Sequence, residues 1–158
     1  MALAATPLAG CGFHPLYGGA TAGEYDPTLA AIKVQPIQDR EGQMLELALR
    51  EKLNPRGAPV PTRYNLIVVL TLSRADLGIQ RNATSTRSEI NASASYTLSG
   101  DGVSVTGQSH TVSAFNLQND AWAATVAEDD ARERAIEDLA NAVVLQLSLW
   151  SRGRAAAR

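Results

Sequence analysis

The residues whose types and spacing could support chemistry lie near the start of the chain, in Leu8-Ala9-Gly10-Cys11. Small side chains before a cysteine suit the cleft of a signal peptidase, and only a thiol can take a thioether-linked diacylglycerol. The four residues fit the bacterial lipobox, so Cys11 is predicted to become the acylated first residue of the mature chain. An incidental free cysteine is the alternative, which the match at all four positions disfavours.

Only ten residues precede Cys11, and none of them is lysine or arginine. Signal peptides normally have a basic start and a longer apolar stretch, so residues 1–10 are interpreted as a truncated signal peptide remnant. No cofactor is expected apart from a covalent diacylglycerol and an N-acyl chain on Cys11. One fatty chain anchors a protein only marginally, whereas two or three would hold it stably at a membrane.

Composition favours a single domain with short tails. The chain has 158 residues, of which 45% are hydrophobic and 19% charged, enough for one core. Residues 11–28 are predicted to form a lipidated N-terminal tether, residues 29–152 one α+β domain, and residues 153–158 a frayed tail. A net charge of −2 gives no indication of a nucleic-acid partner, and no apolar run suits a transmembrane helix.

No grouping of side chains in the sequence indicates an enzyme or a metal site. The two histidines, His14 and His110, are far apart and have no acid or second histidine at ligand spacing. Neither a Ser/His/acid grouping nor a glycine-rich phosphate loop after a strand occurs. His14 is interpreted as a tether residue and His110 as a surface residue on a strand.

Alternating apolar residues predict four strands. The first is predicted within Leu29–Ile37 and the second, a central strand, from Tyr64 to Leu72. The third runs through Ile90–Leu98 and turns at Ser99-Gly100-Asp101-Gly102 into the fourth, which starts at Val103. The alternation changes phase twice, which predicts a bulge or bend near Ser73–Asp76 and a shift past Gly107. Asn82-Ala83 is a weaker turn signal.

Apolar residues at spacings of three and four predict two helices. Asp39 is predicted to cap the first helix, which Asn54-Pro55-Arg56-Gly57 ends. Thr125 with Glu128 is predicted to form a capping box at the start of the second. The predicted apolar stripes are Met44, Leu45, Ala48, Leu49 and Leu53, and then Ile136, Leu139, Ala140, Val143, Val144, Leu147 and Trp150.

The predicted order is therefore β-α-β-β-β-α. Two helices with one apolar stripe each, and strands with one apolar face, predict a two-layer α+β fold. Its sheet is expected to have about four mostly antiparallel strands, with both helices on one face. The opposite face is expected to be polar and accessible, and to carry Asn65, Ser93, Ser95, Thr97, Thr106 and Gln108.

Charge is unevenly distributed along the chain. Between Arg56 and Gln118 there are five arginines against three acids, whereas residues 119–150 hold seven acids against two arginines. Arg81 and Arg87, with Arg63 and Arg74 as weaker candidates, are predicted to contact an anionic ligand or acidic residues of a partner. The equally weighted alternative is that they are solvated charges that prevent sheet edges from aggregating.

Four stretches together are typical of a known family: Leu8-Ala9-Gly10-Cys11-Gly12-Phe13-His14-Pro15-Leu16-Tyr17-Gly18, the strand start Tyr64-Asn65-Leu66, Ala94-Ser95-Tyr96-Thr97-Leu98 before the Asp-Gly turn, and the C-terminal amphipathic helix. On these residues the sequence resembles the LptE family of lipopolysaccharide-assembly lipoproteins, in an alphaproteobacterial form. The resemblance implies a lipoprotein anchored at the periplasmic face of the outer membrane. Such a protein plugs an LptD-type barrel, helps lipopolysaccharide to reach the outer leaflet, and has two helices and four strands.

Gly12 after the lipidated cysteine is consistent with sorting to the outer membrane, and the family has no catalytic motif to transfer. Direct binding of lipopolysaccharide is left open by the sequence. The main alternative is a pilotin or auxiliary lipoprotein of another envelope secretion or transport complex. A soluble lipid carrier is a third class. It would need an enclosed apolar cavity, which is not expected here because the helices are predicted to cover the one apolar face of the sheet.

Overall fold

The computed structural model describes residues 26–59, 61–79, 85–116 and 120–156. Cys11, Arg81 and the Asn82-Ala83 turn lie outside these residues. The elements are helix α1 (Pro27–Ala30), strand β1 (Ile32–Val34), helix α2 (Arg40–Leu53), strands β2 (Tyr64–Ile79), β3 (Ser85–Gly100) and β4 (Val103–Asn116), and helix α3 (Ala121–Ala156). The predicted order is confirmed, with the short α1 added before it.

The sheet has the order β1-β2-β3-β4. β1 pairs with β2 in parallel, and the other two pairings are antiparallel. Helices α2 and α3 pack on the same face of this sheet, which confirms the predicted two-layer α+β architecture. The face that carries the helices is called the helix face below, and the opposite one the outer face.

The core lies between the sheet and the two long helices. Every apolar residue predicted on the stripe of α3 from Ile136 to Leu147 is buried, and Trp150 packs against the core at half-exposure. From α2, Leu45, Leu49 and Leu53 are buried, while Met44 and Ala48 pack at the margin. The sheet contributes Tyr64, Leu66, Val68, Ile90, Ala92, Ala94, Tyr96, Leu98 and Phe115.

The first predicted strand is shorter than Leu29–Ile37. Asp26 accepts a hydrogen bond from the amide of Thr28 (2.8 Å), and Pro27 occupies the first turn of α1, so the chain enters the fold as a helical turn. Asp26 is also held by Ser151, whose Oγ donates to its Oδ2 (2.5 Å). Leu29 and Ala30 therefore lie in α1, and only Ile32–Val34 form the strand.

The predicted bulge near Ser73–Asp76 is absent. Pairing between β2 and β3 continues without interruption from Asn65 opposite Ser99 to Leu77 opposite Arg87. Arg74 and Asp76 occupy positions of the helix face that apolar residues occupy earlier in the strand. The apolar pattern changes because the character of the helix face changes along β2, while the register stays constant.

The predicted phase shift past Gly107 is also wrong, because the register between β3 and β4 is constant. Small residues occupy the helix face of β4, where Ser109 and Ser113 are buried. A Cβ atom at Gly107 would lie 2.3 Å from the Tyr96 ring, so the glycine makes room for that ring. Val112 and Ala114, which suggested the shift, lie on the outer face.

Both predicted helix caps are corrected. Asp39 precedes α2 at φ 67° but its side chain makes no capping hydrogen bond. Helix α3 begins four residues before Thr125, because Asp120 accepts from the amide of Trp122 (2.8 Å). Thr125 lies inside the helix and its hydroxyl donates to the Ala121 carbonyl oxygen (3.0 Å). At its other end, α3 extends to Ala156 and so includes residues 153–156 of the predicted tail.

The predicted turn between β3 and β4 is confirmed. Asp101 and Gly102 form a two-residue connection with φ values of 47° and 71°, the left-handed backbone that tight hairpins favour. Gly100 before them has φ 146°, and a Cβ atom there would lie 2.1 Å from the Arg63 carbonyl oxygen. This turn therefore requires glycine for two separate reasons, backbone conformation and close approach.

Candidate partner-binding surface

The candidate arginines are not brought together into one cluster. Arg63 precedes β2 beside the Asp101-Gly102 turn, whereas Arg87 pairs opposite Leu77 near the other end of the same sheet. At about 3.3 Å per residue, these two positions lie roughly 45 Å apart along the strands. Arg74 and Arg87 are closer but belong to opposite faces, and Arg81 is outside the described residues.

Arg87 is exposed on the outer face near the start of β3. Its neighbours across the sheet are Leu77 on β2 and Asn116 on β4. Arg81 precedes it in the segment that joins β2 to β3. Arg87 therefore places a positive charge on the outer face, on the opposite side of the sheet from the acidic helix α3, and Glu89 lies two positions further along β3 on the same face.

Arg74 is held in a polar cluster on the helix face. Its Nη1 donates to Glu128 of α3 (2.6 Å) and its Nε to Asp76 (3.0 Å). Its guanidinium carbon lies 5.6 Å from the centroid of the Phe115 ring. Two carboxylates already compensate the Arg74 charge, so an incoming phosphate would have to displace them. Arg74 therefore ties the far half of β2 to the start of α3.

Ser88 and Asp76 complete that cluster. Ser88 is fully buried, and its hydroxyl donates to Asp76 Oδ1 (2.5 Å). The Ser88 hydrogen bond, followed by that from Arg74, lowers the pKa of the Asp76 carboxyl below its usual value. Because the pKa of Asp76 is lower in the folded state than in the unfolded state, the ionised carboxylate stabilises the fold. This stabilisation is fully present above the usual pKa of aspartate and is lost as the pH falls through the lowered pKa of the folded state.

Arg63 belongs to a second cluster, at the turn end of the sheet. Its guanidinium forms an ion pair with Asp101 and lies 6.0 Å from the Tyr64 ring centroid. Trp150 meets Tyr64 edge-on at 5.4 Å between centroids, and Arg154 lies 5.9 Å from both rings. Arg154 is not among the arginines predicted from the sequence, because its proximity to Tyr64 depends on how α3 packs against the sheet.

Within the described ranges, no helix or strand covers the outer face, as predicted. The polar residues expected there, from Asn65 to Gln108, all lie on it, and His110 is exposed among them. The sequence analysis did not single out the exposed apolar side chains of this face. Ile67 is 51% exposed and Val69 62% exposed, both on β2, and Val112 is 47% exposed on β4. Alternation could have identified the two residues of β2, because Ile67 and Val69 alternate with buried residues and so must lie on the opposite face.

The acids near the start of α3 are largely paired within the helix. Arg132 forms ion pairs with Glu128 and Asp129, and Arg134 forms one with Asp130, all at spacings of three or four residues. Lys52 of α2 reaches Glu137 of α3 (2.5 Å) and joins the two helices. The helix layer thus presents a salt-bridged surface, whereas the outer face presents hydroxyls, amides and exposed apolar side chains.

Within the described ranges, no group of three or more histidine, cysteine, aspartate or glutamate side chains is arranged to hold a metal ion. Among the same residues, no helix combines the length and the apolar character needed to cross a membrane. The candidate binding sites are therefore surfaces. They are the outer face with its exposed apolar residues and the charged far end of the β2–β3 hairpin.

Comparison with known proteins gives one family match. The model of the LptE family, described as lipopolysaccharide-assembly, matches residues 29–147. No curated protein matches the chain. Among solved structures, a lipoprotein from Caulobacter crescentus CB15 is 23% identical with a TM-score of 0.64, covering 82% of this chain and 96% of that one.

Two further solved structures share the fold at lower identity. Rare lipoprotein B from Shewanella oneidensis is 10% identical with a TM-score of 0.59, covering 77% of this chain and 95% of that one. Lipoprotein B from Nitrosomonas europaea is 13% identical with a TM-score of 0.58, covering 77% and 82%. At these identities the three structures establish the fold alone, and the family rests on the match over residues 29–147.

Proposed function

Because the chain belongs to the LptE family of lipopolysaccharide-assembly proteins, we propose that it assists lipopolysaccharide assembly at the outer membrane as the partner and plug of an LptD-type barrel. The observation that carries the proposal is the family match across nearly the whole folded domain. The family acts in assembly, so the proposal assigns no catalytic step to this protein.

The open face of the sheet supports a role in binding another protein. A barrel wall requires a partner with a rigid, accessible surface, and a four-stranded sheet backed by two helices is such a surface. Hydroxyl and amide groups on the outer face can hydrogen-bond to polar residues of a barrel interior, while Ile67, Val69 and Val112 supply apolar contact.

The proposal places the protein on the periplasmic side of the outer membrane, anchored through acylated Cys11. Asp26, the first residue that the structure describes, follows the anchor by fifteen residues. An extended segment of this length spans up to about 50 Å. The protein could then be anchored in the membrane and bound to a barrel in the same membrane at once. Anchoring would raise the effective concentration of the domain at the barrel.

The direct test is co-purification of the lipidated full chain with the LptD-type barrel of the same envelope, followed by mass spectrometry. We expect a stable complex and a mature chain that begins with Cys11 carrying diacylglycerol and an N-acyl group. A Cys11→Ser variant should lose the lipid and leave the membrane fraction. Recovery with a different channel would instead favour a pilotin or auxiliary lipoprotein, and an unmodified Cys11 would refute the anchor.

The arginines at the far end of the hairpin give a test of lipopolysaccharide contact within this proposal. Arg81→Glu with Arg87→Glu is expected to weaken binding of purified lipopolysaccharide about tenfold or more, because charge-assisted bonds to phosphates are lost and repulsion is added. The matched control is Arg56→Glu with Arg152→Glu, which makes the same charge change at two exposed sites away from the hairpin end.

Salt must be held constant in this comparison, because screening weakens contacts between exposed charges. Equal binding by the two double variants, with folding intact by circular dichroism, would remove the headgroup role. It would leave Arg81 and Arg87 as charges that discourage aggregation of the sheet.

A further inference from the structure

One edge of β2 is open along most of its length. β1 pairs only with Tyr64, Asn65 and Leu66, and the amide of Gln35 donates to the Leu66 carbonyl oxygen (2.9 Å). Beyond Leu66, no described strand lies along this edge. In an antiparallel strand the N–H and C=O of a residue point to the same side, so every second residue after Leu66 points to the open edge.

These residues are Val68, Leu70 and Leu72. Among the described residues, none provides a hydrogen-bond partner for their backbone groups at this edge. A cavity of about 540 Å³ is lined by these three residues, by most of the segment 36–42 that follows β1, and by Arg132. The edge is therefore both unpaired and accessible to an extended segment.

The other sheet edge is partly covered by α3. At the edge of β4, Gln146 of α3 donates from Nε2 to the Gln108 carbonyl oxygen (3.1 Å) and so occupies an outward-pointing backbone group. Exposed strand edges are usually protected in this way, or by charges and prolines. The stretch Tyr64–Ser73 of β2 contains neither a charged residue nor a proline. β2 thus presents an unprotected template for strand pairing.

We propose that the β2 edge from Val68 to Leu72 binds an extended, mainly apolar segment of the barrel partner by strand addition. This inference rests on the proposed function, since it names how that partner is held. Backbone hydrogen bonds would form at Val68, Leu70 and Leu72. Outer-face side chains of the added segment would pair with exposed Ile67 and Val69, which favours apolar or β-branched residues there.

The cavity defines the other side of the added segment. Side chains that point toward the helix layer enter between Leu70, Leu72 and Ile37, an apolar environment. Asp39 and Glu41 lie on the wall, while Arg132 is already paired with Glu128 and Asp129, so the rim is acidic. A basic residue next to the apolar run of the segment would complement that rim.

A single segment fits this edge better than a second copy of the chain. The wall of residues 36–42 stands directly beside the edge. A second sheet would carry its own equivalent wall and helix layer into the same space, whereas one extended segment needs only the cavity. The experiment must therefore distinguish a bound segment of the barrel partner from a second copy of the chain that pairs edge to edge.

The test is hydrogen–deuterium exchange of the lipidated full chain, alone and in complex with the purified barrel. We expect the complex to slow about three additional amides within residues 67–73, and to leave residues 103–109 at the β4 edge unchanged. A complex that forms without this protection overturns the strand addition while the proposed function stands. Failure to form any complex overturns both.

Two exposed valines provide a matched pair of variants. Val69→Lys places a charge at the open edge, and Val126→Lys makes the same change on α3, where the valine is 49% exposed and away from the outer face. Val69→Lys should weaken the complex about tenfold, whereas Val126→Lys should have a much smaller effect. Equal effects, or protection of residues 67–73 that appears in the free chain as its concentration rises, would overturn the proposal.

Discussion

Replacing Leu139 by aspartate is expected to lower the free energy of unfolding by about 5 kcal/mol, enough to unfold much of the population. Leu139 is fully buried on the stripe of α3 that packs against the sheet. The substitution removes apolar contacts, leaves a cavity and places an uncompensated carboxylate in the core. Since domains of this size are stable by only about 5–15 kcal/mol, the loss is comparable to the whole.

The matched control is Leu149→Asp on the same helix, where the side chain is 58% exposed. It makes the same chemical change and should cost about 1 kcal/mol, mostly through lower helix propensity. Urea denaturation followed by circular dichroism gives both values, with Leu139→Ala as a milder variant if Leu139→Asp does not fold. Similar losses for Leu139→Asp and Leu149→Asp would contradict the packing of α3 described above.

Gly100→Ala is the second change expected to have a large effect, a loss of about 3 kcal/mol or more. The added Cβ would lie 2.1 Å from the Arg63 carbonyl oxygen and 2.9 Å from the Tyr64 Cα, both backbone atoms that cannot move independently. The φ of 146° adds conformational strain for any residue with a side chain. Relief would require β2 and β3 to separate where their pairing begins.

Gly102→Ala separates the two causes of that loss. Gly102 also has a positive φ, 71°, but its Cβ would enter open space. Gly102→Ala should therefore lower the free energy of unfolding by only about 1 kcal/mol, the cost of a left-handed backbone at alanine. Thermal unfolding of the two variants measures the difference, which reports the steric overlap at Gly100. Losses of equal size would mean that the close approach of Arg63 to Gly100 is not rigid.

The sequence predicts elements well where burial follows a simple period. The α3 stripe and the alternation from Tyr64 to Leu72 are local patterns imposed by a single neighbouring layer, so they identify the core face directly. The turn at Asp101-Gly102 is equally local, because positive φ values restrict the residues allowed there. Fold class and strand order follow from these elements together.

The errors arise where the partner of a residue is distant in sequence. The bulge predicted near Ser73–Asp76 came from polar residues on the helix face, which Arg74 makes favourable by reaching Glu128, 54 positions later. The phase shift in β4 came from small residues at Gly107 and Ser109, whose size fits the Tyr96 ring and the underside of α3. No local pattern encodes either contact.

The candidate surfaces show the same division. Ile67 and Val69 can be identified from alternation as the less buried side of β2, but their exposure depends on no other described element packing over that face. Arg63, Arg74 and Arg87 were grouped by their charge and position in the sequence. Their actual separation depends on strand length and on which face each side chain occupies, which only the register determines.

The contact between Asp26 and Ser151 bears on how long the folded state lasts. It joins positions 125 residues apart, whereas β2, β3 and β4 pair with their neighbours in sequence. Closing a long loop is costly in entropy, so the local meander is expected to form before the rate-limiting step and the terminal contact after it. Loosening Asp26 would then accelerate unfolding without slowing folding. The kinetic lifetime of the domain is thus set in part by the contact between Asp26 and the C-terminal end of α3.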